Sequence, residues 1–129
     1  MSEITAVKIQ ELDRPNRNNR IYPRAVMEEA IAEFNKRPNP MLGTVGMPSD
    51  PAVDLTAVSH VVKNLRIMDD YLVADIKVLA TPMGAQLEKM LKDDSMVFRS
   101  AGFGNVGPDG TISDYRLLCV SAVRAEDAA

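Results

Sequence analysis

The chain has one histidine, one cysteine and a net charge of −3, and each scarcity excludes something. His60 and Cys119 leave only scattered carboxylates as further metal ligands, none at ligand spacing, so no metal and no cofactor is expected. Cys119 has no second cysteine for an internal disulfide, which fits a reducing, intracellular origin. The negative balance argues against a broad nucleic-acid face, although Arg14, Arg17, Arg20 and Arg24 gather near one loop, where a solvated loop with one ion pair is the plainer reading. Apolar runs are no longer than a strand, and MSEITAVKIQ lacks the basic flank and apolar core of a signal peptide, so neither a membrane span nor a leader is expected. AGFGNVG is glycine-rich, but no Lys-Ser/Thr pair follows it and no strand-to-helix context surrounds it, so it is no phosphate loop.

A length of 129 residues suits one domain, 1–129, with one modest core. ITAVKIQEL (4–12) alternates like a strand with one buried face, and the Asn/Asp/Pro-rich DRPNRNNRIY after it reads as a loop. Pro23 can open a helix over 23–36, with Val26, Ala30, Ile31 and Phe34 on its apolar stripe. From 37 to 54 the density of Pro and Gly predicts a long loop without a regular element. Strands over 55–67 and 71–80 form a hairpin about Asp69 and Asp70, with Leu72, Ala74, Ile76 and Val78 on one face. Thr81 caps and Pro82 starts a second helix to about Asp93, its inner face carrying Met83, Leu87, Met90 and Leu91. Strands over 95–102 and 111–123 flank a GPDG turn, and RAEDAA reads as a frayed tail. Without a repeated βαβ unit, this order predicts an α+β domain, mostly antiparallel, closing into a small β-barrel with packed helices.

Hydrolysis by an activated serine is the one enzymatic chemistry the residue types leave open. It requires a hydroxyl and a base within hydrogen-bond reach; His60 is the only histidine base, and Ser100 sits at a strand end before AGFG. A lone histidine in a strand is more often structural than catalytic.

Four stretches in order, NRNNRIYP (16–23), GTVGMP followed by VDLTAVSH (43–60), ATPMG (80–84) and FRSAGFG (98–104), resemble motifs of the prohead core proteases of T4-like tailed phages. The corresponding patterns are N-R-N-x-R-x-Y-P, G-E-L-x-H-P, T-P-x-G and V-S-S-R-G-x-G, and the resemblance covers about Asn16 to Gly104. It implies the fold shared by phage and herpesvirus maturation proteases. It also implies that the catalytic pair has changed. Met47 stands where the motif has its histidine base and Thr44 where it has Glu, while Arg99 stands where it has the first, nucleophilic Ser and Ser100 where it has the second. A thioether accepts no proton at neutral pH, and a guanidinium is no nucleophile. SAGF (100–103) also resembles the S-x-G-F nucleophile motif of another branch of phage maturation proteases, which would make Ser100 the nucleophile with His60 the only base.

These readings predict a phage virion structural protein, a catalytically inactive protease-like domain that decorates or cements the capsid. The alternatives are an active maturation serine protease using Ser100 and His60, and a non-catalytic component of the prohead core. The expected partners are the major capsid protein and sister copies, with no membrane and no specific nucleic acid. The chain would be made in the host cytoplasm and carried in the virion. The contact residues expected are Arg17, Arg20, Met41, Leu42, Val45 and Met47, taken from the arginine-rich loop and from the apolar side chains of the Pro-rich loop.

Overall fold

The computed structural model describes residues 3–36, 41–45, 58–93 and 95–128. Along the chain run β1 (Glu3–Glu11), α1 (Arg24–Asn35), β2 (Met41–Thr44), β3 (Val58–Met68), β4 (Tyr71–Val78), α2 (Pro82–Leu91), β5 (Met96–Val106) and β6 (Ile112–Arg124). A 3-10 turn over Ala125–Asp127 follows. Strands β1, β4, β3 and β2 form one antiparallel sheet in that order, and β5 and β6 pair as a separate antiparallel hairpin.

Local chemistry explains most boundaries. The Thr81 hydroxyl accepts from Gly84 N at 2.9 Å and donates to the Val58 carbonyl at 2.6 Å, so one side chain caps α2 and ties its start to β3. Pro23 cannot cap α1 with a side chain; the Asp13 carboxylate takes the Arg24 N–H instead, at 2.9 Å. The β3–β4 hairpin turns through Asp69 in the left-handed region, a conformation Asp tolerates. Asn16 Oδ1 accepts from the N–H groups of Asn18 and Arg20, folding the loop after β1 on itself. Ile21 then bonds Gly110 O through its N–H and Ile112 N through its carbonyl, docking that loop against the predicted 107–110 turn.

The core lies between the sheet, the hairpin and the two helices. Its fully buried side chains include Ile9, Leu12, Met27, Leu72, Ile76, Leu87, Leu117 and Val120, with His60, Ser59 and Ser121 among them. On α1 the most deeply buried residue is Met27, beside the predicted Ala30.

Three expectations need correction. The barrel is not closed. Among the described residues the sheet and the hairpin share one backbone bridge, Val45 to Ala122, and β1 and β5 share no ladder. β1 is bulged against β4: its register shifts between Ile4 and Val7 and between Lys8 and Gln10, Ala6 takes φ 53°, and the Ala6 N–H turns to Asp75 Oδ1. Second, Met41–Thr44 form strand β2 inside the segment expected to be irregular, because Met41 and Gly43 alternate inward between the flanking breakers. Third, the tail is held rather than frayed. Arg17 Nη1 donates to the carbonyls of Ala125 (3.3 Å) and Ala128 (2.9 Å), and Ala128 is buried.

Gly43 is required by close approach. A Cβ there would overlap His60 Nε2 and lie 2.5 Å from the Val120 carbonyl oxygen. Gly43→Ala is therefore expected to lower unfolding free energy by at least about 2 kcal/mol. Gly107→Ala, whose Cβ would meet only Asp109 Oδ1 (3.3 Å) and Thr111 O (3.5 Å), should stay within about 1 kcal/mol of the parent. Urea denaturation of both variants checks the difference.

Candidate functional site

His60 lies mid-strand in β3, paired with Gly43 on one side and Val78 on the other, and is fully buried. Its Nε2 is 2.8 Å from the Val120 carbonyl and its Nδ1 2.7 Å from Ser59 Oγ. A carbonyl only accepts, so Nε2 carries the proton, and the Nδ1 lone pair accepts from the Ser59 hydroxyl. The Phe98 ring packs edge-on against the imidazole, centroids 5.2 Å apart. Burial holds the His60 pKa below its ordinary value, and the bond to Val120 only partly offsets this. Ser59 and His60 thus have the spacing of a hydroxyl–imidazole dyad, but both sit at 0% exposure, where no substrate reaches them.

Arg99 and Ser100 are neighbours on β5, opposite Ser121 and Val120 of β6. Ser100 is 8% exposed, and its Oγ has no hydrogen-bond partner among the described residues. The Tyr115 phenol comes near enough to feel it, and burial raises the Tyr115 pKa, yet no hydrogen bond of standard geometry joins the two. Val120, the cross-strand neighbour of Ser100, supplies the carbonyl that holds His60, so the two candidate catalytic residues lie one strand apart. They are not joined by a hydrogen bond. Arg99 Nη1 donates to the Phe98 carbonyl at 2.8 Å, and partial burial lowers its pKa.

The other predicted site residues are dispersed. Met47 lies outside the described residues. Met41 is 4% exposed and belongs to the core, so its side chain offers no contact surface. Leu42 is half-buried; Val45 packs against the core and forms the bridge to Ala122. Arg17 holds the tail carbonyls, and exposed Arg20 donates to the Asn18 carbonyl at 3.1 Å.

A feature absent from the sequence reading is a groove along the open seam between β1 and β5. Two adjoining hollows, about 1070 Å³ and 870 Å³, share Gln10, Asn16, Met96 and Arg99 as lining. Asn16, Asn18, Arg20 and Tyr22 of the NRNNRIYP stretch line the larger, with Ser100. Gln10 is buried at 6%, but among Glu3, Thr5, Lys8 and Glu11 of the same strand its polarity gives no signal in the sequence.

Sheet, hairpin and helices in this order define the fold of a phage capsid assembly protease. A solved structure with this fold is the bacteriophage T4 capsid assembly protease gp21, with a TM-score of 0.74 over 95% of this chain and 91% of that one, at 17% identity. No family model and no curated protein matches the chain.

The depressed pKa of His60 makes stability depend on acid. The unfolded chain takes up a proton near the ordinary histidine value, about 6.5, while the folded chain resists it. Stability is then fully present above that pH and falls as pH drops toward the lower folded value, by up to about 1.4 kcal/mol per pH unit. With one histidine in the chain, urea midpoints between pH 7.5 and pH 5.5 should decrease; flat or rising midpoints would contradict the burial effect.

Proposed function

We propose that this chain is a prohead-protease-like domain that serves a phage capsid without cutting it, as a virion structural protein that decorates or cements the shell. The observation that carries the reading is the state of His60. Its Nε2–H is held by a carbonyl of the hairpin, and its one lone pair, at Nδ1, accepts from Ser59 at a site with no solvent exposure, so the only histidine is not directed at Ser100 and the hydroxyl it does touch is out of a substrate's reach. Arg99 at the nucleophile's place in the motif, and Ser100 with its hydroxyl enclosed, support the same conclusion. Scaffolds outlast the sites built on them, and a protease fold without its base remains a shaped protein surface.

The residues proposed for contact with the major capsid protein or sister copies are the exposed Arg17 and Arg20 and the half-buried Leu42. Exposed apolar side chains at the hairpin ends, Met68 (50%), Phe103 (58%) and Val106 (50%), are further candidates at separate places on the fold. No helix among the described residues is long and apolar enough to cross a membrane. A second reading, an active maturation protease, draws on the unpartnered Ser100 hydroxyl beside the groove. It would require His60 to leave Val120 and Ser59.

Incubation with prohead capsid and scaffold proteins separates the two. The expected result is no specific cleavage, with parent and Ser100→Ala indistinguishable, and the intact chain present in purified mature virions. Specific cleavage abolished by Ser100→Ala would establish the protease instead.

A further inference from the structure

We propose that the outer edge of β5 over residues 102–106 pairs antiparallel with the same segment of a second copy of this chain, about a two-fold axis at Gly104. The proposal deepens the sister-copy contact of the function proposed above and rests on that part of it alone, since the pairing needs no statement about catalysis.

Strand geometry provides the first argument. Among the described residues β5 has a ladder only with β6, and no isolated bridge touches it. Its first half lies beside β1 along the groove, but the five residues from Gly102 to Val106 are all exposed, with Phe103 at 58% and Val106 at 50%. Where the β5–β6 register shifts, between Ala101 and Gly102 and between Phe103 and Asn105, the extra residue belongs to β6 each time. β5 is therefore the regular strand of the pair, and its main-chain groups that point away from β6 form an even row.

Chemistry provides the second. Edge strands are ordinarily blunted by charge, proline, bulges or shortness. β1 is bulged twice and carries Glu3, Lys8 and Glu11, β2 is four residues long, and β6 has its own bulges together with Asp114, Arg116 and Arg124. Residues 100–106 of β5, SAGFGNV, contain no ionisable side chain and no proline. Such an edge is open to a further strand, and its neutrality suits a copy of itself. Two identical charged edges repel, whereas two neutral ones do not, even in a chain of net charge −3.

Side-chain sizes provide the third argument and set the register. The Tyr115 ring borders both glycines of the segment: a Cβ on Gly102 would lie 2.7 Å from Tyr115 Cζ, and one on Gly104 3.2 Å from Cδ1. Two-fold pairing at Gly104 sets Val106 of each copy opposite Gly102 of the other, and Phe103 opposite Asn105, so a larger apolar side chain faces a smaller residue at each step. Val106 then reaches over the glycine toward the Tyr115 ring of the other copy. A contact of this symmetry closes at two chains. Five paired residues on each side make an interface below standard size, so the dimer is weak in solution and is strengthened wherever copies are held close together.

The test is sedimentation velocity on the full chain from about 5 to about 500 µM. The mass is expected to rise from 14.1 kDa toward that of two chains and to go no further. Phe103→Lys should weaken the association at least about tenfold, and Met68→Lys, exposed at the end of the β3–β4 hairpin, should leave it unchanged. Circular dichroism verifies folding, and Val106→Lys is the second variant should Phe103→Lys misfold, with a similar loss expected. Amide hydrogen exchange at the two ends of the concentration range reads the ladder itself: alternate amides within 102–106 should slow at the high end. A single chain at every concentration, growth past two chains, association that survives both lysine variants of β5 or is weakened equally by Met68→Lys, or a dimer that leaves the amides of 102–106 unchanged would overturn the proposal. Incubation with prohead capsid and scaffold proteins, run alongside, keeps the readings apart. Cleavage removes the non-catalytic reading and leaves this contact in place, whereas a monomer removes the contact and leaves that reading.

Discussion

A single hydrogen bond, from the His60 imidazole to the Val120 carbonyl, ties the four-stranded sheet to the hairpin at the centre of the molecule. Much of the arrangement follows from it. Gly43 must lack a side chain for the ring to lie across β2, Phe98 packs on the ring edge, and Ser59 fixes the tautomer. Val45 bridges Ala122 two residues farther along β6, so the inter-sheet connections gather on one side of the domain. A buried polar group of this kind is stabilising only while each of its atoms is matched, which binds these residues into one unit.

Two consequences follow for function. The imidazole that could have served as a base is committed to the scaffold. The edges of β1 and β5 share no ladder, and the larger hollow beside them reaches the Val45–Ala122 bridge. The fold is shared with a solved phage capsid assembly protease. Arg99 and Ser100 both line the larger hollow.

The elements legible in the sequence were those announced by local chemistry. Thr81 and Pro82 mark the start of α2, GPDG the last hairpin turn, Asp69 and Asp70 the middle one, and the Leu72-to-Val78 alternation marks β4. Each depends on neighbours in sequence. What could not be read depends on distant partners. β2 is four residues long among Pro and Gly and exists because β3 pairs with it. The tail is ordered by an arginine more than a hundred positions away. The open barrel and the β1 bulges are features that an alternating pattern does not display. At the site, Arg99, Ser100 and His60 were found by type and motif, but the bond from the imidazole to Val120 is a tertiary fact, as is the groove, assembled from β1, the arginine loop, β5, β6 and the tail.

The central claim is that the imidazole is a buried cross-link and no base, and its proton is the most direct witness. In a protein with one histidine, nitrogen-15 NMR of the ring reads the tautomer and its titration without assignment ambiguity. The account predicts an Nε2–H that exchanges slowly with water at neutral pH and a ring that titrates below its ordinary value. A ring exchanging freely with water and titrating at or above its ordinary value would contradict it.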